Sequence, residues 1–173
     1  MKKFFFLLVL IFMSCQSTQK LHTEKYKGKD ILVGKAQRTD LEKEPYRQWF
    51  ADNYAAYQPD QRIIQQLKPV INDYKFTVLL GTWCGDSQEQ VPVLFKVLDQ
   101  AGYHKQPELY CVPRKYKYYQ PAKDYKIIRV PTIIVYYKGK EKARIIEYPM
   151  QSIEADLLKI VTGDTYLHEL NTY

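Results

Sequence analysis

Residues 76–87 read FTVLLGTWCGDS, and this stretch decides the fold. Its first five residues are apolar or β-branched, which predicts a short buried strand. Gly81 then begins a loop, and a helix is predicted from about Gly85 because apolar side chains recur at helical spacing over residues 91–98. A strand followed at once by a helix predicts a β-α-β unit, which requires a right-handed parallel crossover.

Cys84 lies between the predicted strand and the first turn of the predicted helix. The first amide groups of a helix are unpaired donors, and the helix dipole favours negative charge there, so a thiolate at this point is stabilised and nucleophilic. Ser87 lies three residues on, and its hydroxyl is within reach of the sulfur as a hydrogen-bond donor. Asp86 acts in the opposite direction, because a nearby carboxylate disfavours a second anion.

The C-terminal half continues the alternation of strands and helices. Three more strands are predicted at residues 109–112, 133–137 and 143–148, with a turn at 138–140 that joins the last two as a hairpin. A final amphipathic helix is predicted at residues 152–161, ended by Gly163. The predicted order is therefore β-α-β followed by β-β-α, and we expect the final helix on the other face of the sheet from the helix after Cys84, or at its edge.

The N-terminal region predicts a short strand and two helices. Residues 31–33 form an apolar run ended by Gly34 and predict an edge strand, and Pro45 suits a first helical turn. A second helix is predicted from Pro59-Asp60 through Val70. The first helix carries one aromatic face, which indicates core packing rather than a ligand site and consists of Tyr46, Trp49, Phe50, Tyr54 and Tyr57.

The first 14 residues predict a signal peptide. Lys2 and Lys3 precede an apolar run at residues 4–13, which is shorter than the roughly 20 residues of a membrane-spanning helix. Ser14-Cys15 then resembles a lipoprotein cleavage site, which predicts lipidation of Cys15; an ordinary signal peptide cut nearby is the alternative. The localisation predicted is the bacterial cell envelope, with the protein lipid-anchored and facing the periplasm or the outer surface.

Three features in register resemble the thioredoxin superfamily. Residues 83–87 are similar to its Trp-Cys-Gly-x-Cys motif, and Pro92 matches the proline that kinks its active-site helix. Val130-Pro131-Thr132 is similar to the segment whose proline is cis and faces the active cysteine. Exported lipoproteins of the TlpA and ResA type look like the nearest relatives.

The resemblance implies an α/β thioredoxin-like fold, in which a central mixed β-sheet is flanked by helices, here with an N-terminal helical extension. The domains predicted are a signal peptide at 1–14, a lipidated tether at 15–29, an N-terminal extension with a short strand and two helices at 30–72, a thioredoxin-like domain at 73–165 and a tail at 166–173.

The resemblance also implies a function in thiol–disulfide exchange. The catalytic residues expected are Cys84 and Ser87, and the substrate-binding residues are Trp83, Gly85, Asp86, Val130, Pro131 and Thr132. The second cysteine of the motif is replaced by Ser87, so the motif is monothiol and an external thiol reductant is needed to release the product. The partners expected are envelope proteins with disulfides or oxidised cysteines, together with the membrane through the lipid anchor.

Other interpretations of these residues stay open at this point. Cys84 is also compatible with an inert relic in a non-enzymatic binding module, and less readily with delivery of a soft metal such as Cu(I). Trp83 is also compatible with ordinary packing, and Pro131 with a trans turn. Cys111 is interpreted as a buried small hydrophobe in preference to a resolving thiol.

Composition excludes several classes of function. His22, His104 and His168 lack metal-ligand spacing, so no metal site and no cofactor is predicted. The net charge of +7 becomes +5 once Lys2 and Lys3 are removed, which is moderate. The basic and aromatic stretch at residues 114–126 is interpreted as a solvated surface and not as a nucleic-acid site.

Overall fold

The computed structural model describes residues 20–163 and Tyr166. The predicted signal peptide and Cys15 lie outside these residues, as does most of the predicted tail. The described chain folds around one six-stranded sheet with the order β1-β2-β4-β3-β5-β6. The strands are β1 (His22–Tyr26), β2 (Lys29–Ala36), β3 (Tyr74–Leu80), β4 (Glu108–Cys111), β5 (Thr132–Tyr137) and β6 (Lys140–Ile146).

Six α-helices accompany these strands in the described part of the chain. They are α1 (Arg38–Leu41), α2 (Arg47–Ala56), α3 (Gln61–Leu67), α4 (Gly85–Gln100), α5 (Gln120–Asp124) and α6 (Ile153–Thr162). The short helices α1 and α5 were not predicted, and α3 ends at Leu67 rather than near Val70. No helix of residues 20–163 is both long enough and apolar enough to cross a membrane.

The parallel pair β3 and β4 forms the centre of the sheet, and α4 provides the crossover between them. Every β3 side chain except that of Lys75 is buried, as is usual for a strand covered on both faces. The register pairs Val78 with Leu109 and Leu80 with Cys111, so both strands end at the same edge of the sheet. The β-α-β unit predicted from the sequence is confirmed.

The second half of the fold is the β5–β6 hairpin followed by α6. Strand β5 pairs antiparallel with both β3 and β6. The hairpin turns at Lys138-Gly139, where φ is +49° and +79°; such two-residue turns favour glycine, which reaches positive φ without steric cost. Helix α6 begins after Ser152, whose side chain accepts a hydrogen bond from the Ala155 amide, and it ends at Gly163, as predicted.

Helices α4 and α6 lie on the same face of the sheet, so the expectation of opposite faces was wrong. The two helices contact each other, and their buried side chains share one core with Phe76, Val78 and Leu80 of β3. On the other face of the sheet lies a smaller hydrophobic cluster, which includes Leu79 of β3 and Ala122 of α5. Helix α6 joins the larger core because its apolar stripe can be buried there against α3 and α4.

The N-terminal region departs from the prediction at residues 22–29, which were assigned to a tether. His22–Tyr26 forms β1, which pairs antiparallel with β2 and is the edge strand in place of the predicted 31–33. Gly34 has a φ of +121°, and a Cβ there would lie 2.8 Å from the Leu21 backbone. The close approach of these two segments therefore depends on glycine at this position.

Pro45 lies before α2 and not in its first turn. Helix α2 begins at Arg47, and the Glu44-Pro45 peptide bond is cis. The predicted aromatic face is otherwise correct, because Phe50 is buried and Trp49 and Tyr54 pack against the same core.

Candidate functional site

Cys84 caps the N-terminus of α4, as the sequence predicts. Its backbone is extended, with φ of −99°, and its carbonyl accepts a hydrogen bond from the Gln88 amide at 3.0 Å. The side chain is half-buried. Its sulfur lies 3.4 Å from the Val130 carbonyl oxygen and 3.9 Å from an oxygen of Asp86.

The loop that faces Cys84 contains the predicted cis peptide bond, between Val130 and Pro131. The Pro131 carbonyl accepts a hydrogen bond from the Glu147 amide at 2.7 Å, which ties this loop to the end of β6. Thr132 is buried, and its hydroxyl donates to the Arg129 carbonyl at 2.7 Å. Sequence positions 84 and 130–131 are thus brought together in space, as predicted.

Ser87 is fully buried, and its hydroxyl oxygen accepts a hydrogen bond from the Gly81 amide at 3.1 Å. Among the hydrogen bonds of residues 20–163, none joins Ser87 to the Cys84 sulfur. The serine at the second motif position therefore braces the loop between β3 and α4, and its contact with the sulfur stays a prediction. Gly85 and Asp86 are exposed on the first turn beside Cys84.

Trp83 is fixed by several contacts. Its indole N–H donates to the Val112 carbonyl at 2.9 Å, and its ring lies against Gly81, where a Cβ would come within 2.7 Å of it. The ring stacks on Tyr116 with centroids 6.3 Å apart, and the Arg114 guanidinium lies 4.4 Å from its centre. These contacts orient the indole beside Cys84.

A pocket of about 850 Å³ adjoins Cys84 and was not predicted. The β1–β2 hairpin forms one wall, α2 contributes Trp49, and Trp83 and Arg114 also line the pocket. Arg114 also donates a hydrogen bond to the Tyr26 hydroxyl at 3.2 Å, and this contact lowers the pKa of Tyr26. Arg114 and Tyr116 therefore belong to the site, although the sequence predicts a solvated surface for them.

Cys111 is separated from the site by burial. It is 0% exposed at the end of β4, and burial raises the pKa of its thiol to about 12. Both Cys84 and Cys111 are free thiols. Within the described residues, no group of three or more His, Cys, Asp or Glu side chains is placed to hold a metal ion.

The topology decides the fold. A parallel β-α-β unit and a β-β-α unit share one mixed sheet, and a cis-proline loop from the second unit faces a cysteine at the helix N-terminus of the first. The fold is thioredoxin-like.

Comparison with known proteins gives likeness at the level of fold alone. No protein-family profile matches the chain, and no curated protein does. Two solved structures align with TM-scores of 0.59 and 13% identity: a protein of unknown function from Pseudomonas aeruginosa, over 75% of this chain and 93% of that one, and an HIV epitope scaffold, over 76% and 94%. The mitochondrial thioredoxin 3 of Saccharomyces cerevisiae also matches, with a TM-score of 0.38 and 18% identity, over 64% of this chain and 97% of that one.

Proposed function

We propose that this protein is a monothiol thiol–disulfide oxidoreductase that acts through Cys84 on disulfides or oxidised cysteines of other proteins. The observation that carries the proposal is the position of the Cys84 sulfur. It is half-buried at the N-terminus of α4 and lies 3.4 Å from the carbonyl that precedes the cis-proline. The thiolate is the reactive form of a cysteine, and this position leaves the sulfur within reach of a substrate.

The surroundings of the sulfur support a protein substrate in extended conformation. Within residues 20–163 the Val130 amide donates to no backbone carbonyl, and we assign it as a donor to the main chain of a bound segment. Trp83 supplies an apolar wall beside the sulfur, held by Val112 and Tyr116. Main-chain bonds of this kind give affinity with little dependence on the side chains of the partner.

The reaction begins when the Cys84 thiolate attacks one sulfur of a substrate disulfide. A bond forms between Cys84 and that sulfur, the substrate S–S bond breaks, and the other substrate sulfur leaves as a thiolate and takes up a proton. In a dithiol enzyme the second motif cysteine would release the product. Here Ser87 is bound to the Gly81 amide and Cys111 is 0% exposed, so an external thiol must complete the cycle.

The experiment is to detect mixed disulfides in cells whose thiols are quenched with acid and alkylated, followed by identification of the attached proteins on non-reducing gels. Wild-type protein should carry adducts without any engineered trap, because it has no resolving thiol. Cys84→Ser should abolish the adducts, and Cys111→Ser is the matched control that should retain them. Absence of Cys84-dependent adducts, even under oxidative stress, favours a non-enzymatic binding module that uses the same groove.

The proposed location is the bacterial cell envelope, with Cys15 as a lipidated N-terminal residue. The support is the sequence alone: Lys2 and Lys3, the apolar run at 4–13, and Ser14-Cys15. Mass spectrometry of the mature N-terminus decides it. A diacylated or triacylated Cys15 is the expected result, and an uncut or unmodified start rules out the anchor.

A further inference from the structure

The pocket beside Cys84 has the size of a small-molecule site. It encloses about 850 Å³ between the β1–β2 hairpin, α2 and the loop that carries Cys84. Ligand pockets commonly have volumes of roughly 300–1,000 Å³, with apolar walls and a few polar groups that fix orientation. Trp49 and Trp83 supply apolar walls here, and the Cys84 side chain is part of the lining.

The charges of the pocket favour an anion. Lys27, Lys29 and Arg114 line it, and within residues 20–163 none of the three forms an ion pair with a carboxylate. Its single acidic residue, Asp30, is already paired with Lys25 at 2.7 Å. A concave site with this surplus of positive charge raises the local concentration of anions and can bind carboxylates directly.

Arg114 is also held in place before any ligand binds. Its guanidinium lies 4.4 Å from the centre of the Trp83 ring, and its Nε donates to the Tyr26 hydroxyl at 3.2 Å. A cation fixed in this way loses little conformational freedom on binding, which favours affinity.

We propose that this pocket binds a low-molecular-weight thiol that carries at least one carboxylate, and that this thiol regenerates Cys84. The inference rests on the proposed function, because it supplies the external thiol that a monothiol centre requires. The pocket is lined from the hairpin, α2, the loop before α4 and Arg114, whereas the Val130 carbonyl approaches the sulfur from the loop before β5. A small thiol in the pocket and a protein substrate at the loop before β5 would therefore contact different structural elements when they reach the sulfur.

Regeneration of the Cys84 thiolate takes two thiol–disulfide exchanges. The first small thiolate attacks the Cys84 sulfur of the mixed disulfide, the Cys84–substrate bond breaks, and the substrate leaves as a thiolate that takes up a proton. A second small thiolate attacks the small-thiol sulfur now bound to Cys84, and Cys84 leaves as a thiolate. Over the cycle two small thiols are oxidised to one disulfide, and one substrate disulfide is reduced to two thiols.

The first arm of the test measures binding without the reactive sulfur. Full-length protein with Cys84→Ala is titrated calorimetrically with S-methylglutathione, an anionic probe that cannot exchange disulfides. Saturable binding is expected, weakened about tenfold by the double change Lys27→Gln and Lys29→Gln because two charge-assisted contacts are lost. The double change Lys123→Gln and Lys126→Gln, at exposed lysines outside the pocket lining, is the matched control and should leave binding unchanged. Absence of saturable binding, or equal weakening in the control, overturns the proposal.

The second arm measures release. Cys84 of the wild type is converted to a mixed disulfide with 2-thiopyridine. Liberation of 2-thiopyridone is then followed after addition of either glutathione or its diethyl ester, in which both carboxylates are replaced by uncharged esters. Each rate is divided by that for a pyridyl disulfide of free cysteine, which removes the intrinsic reactivity of the thiol. With the wild type, the rate of release should saturate as the glutathione concentration rises, and it should exceed the rate with the ester. In the Lys27→Gln, Lys29→Gln variant, the ratio of these two normalised rates should fall about tenfold. An unchanged preference overturns the proposal.

The two arms separate this inference from the proposed function. If the Cys84→Ala protein binds the probe and wild-type cells show no Cys84-dependent adducts, the oxidoreductase function fails and the anion pocket stands. If adducts form and neither arm responds to the lysine changes, the function stands and this pocket is not the site of the releasing thiol.

Discussion

Cys84 and Cys111 lie near the same edge of the sheet and have opposite environments. Cys111 is the last residue of β4 and pairs with Leu80, the last residue of β3, while Cys84 follows Leu80 by four residues. Cys111 is 0% exposed inside the core, whereas Cys84 is only half-buried, at a helix N-terminus. The short loop after β3 thus places Cys84, the candidate nucleophile, outside the core in which Cys111 is packed.

The loop itself depends on the strand that holds Cys111. The carbonyl of Val112, the next residue, accepts the Trp83 indole N–H, and the Val112 amide donates to the Leu80 carbonyl at 2.8 Å. One strand end therefore contributes a buried thiol to the core and supports the tryptophan beside Cys84. The environment of each cysteine therefore follows from its position relative to the edge of the sheet and not from the residue type.

The largest expected difference between the two thiols is in alkylation. In the native protein at about pH 8, iodoacetamide should modify Cys84 at least about 100-fold faster than Cys111, since Cys111 is inaccessible and burial raises its pKa to about 12. Peptide mass spectrometry of timed samples gives both rates. The ratio should fall towards one in denaturant, and similar native rates would contradict the assignment of Cys111 to the core.

The next difference is in stability. Cys111→Ala should lower the free energy of unfolding by about 1–2 kcal/mol, because it removes the sulfur from a fully packed position and leaves a cavity. Cys84→Ala should change it by no more than about 0.5 kcal/mol, as is usual at a partly exposed site. Urea denaturation of both variants measures this. If Cys84→Ala lowers the free energy of unfolding more than Cys111→Ala does, then Cys84 in the loop, and not Cys111 at the strand end, makes the more important packing contacts.

The smallest expected effect concerns residue 87, where this motif has serine and a dithiol motif has cysteine. Ser87→Cys should shorten the lifetime of Cys84 adducts about tenfold or more, since a thiol three residues away attacks at high effective concentration. Ser87→Ala is the matched control, because it also removes the acceptor of the Gly81 amide and supplies no thiol. Adduct lifetimes come from pulse oxidation followed by non-reducing gels. Equal lifetimes in the two variants would show that a thiol at 87 cannot reach the sulfur.

Prediction from sequence succeeds where burial leaves a periodic pattern. The run at 76–80 and the helical spacing after Gly85 are dictated by the core, so the β-α-β unit and the position of Cys84 could be predicted. The proximity of Cys84 to Val130 could be predicted only through the resemblance to a known motif, because the two residues are far apart in sequence.

The rest could not be predicted because it depends on contacts that leave no local pattern. Four of the five residues of β1 are exposed and polar, so this strand is held by pairing with β2 and shows no apolar alternation. Arg114 stands in a basic and aromatic stretch that resembles a solvated surface, and only the tertiary fold brings its guanidinium over Trp83. Each of these two misassigned segments contributes a residue to the pocket lining, Tyr26 and Arg114, which is why the pocket was missed.

The hydrogen bond from the Leu32 amide to the Thr82 hydroxyl at 3.0 Å has a mechanical consequence. Thr82 is two residues before Cys84, and Leu32 pairs with Thr23 close to the point where the described chain begins. Tension applied at Lys20 enters the molecule through β1, passes within a few residues to β2, and arrives at the loop that holds the sulfur. Because Leu32 itself belongs to the buried core, a force applied to β1 would reach the core and the loop that carries Cys84 at the same point.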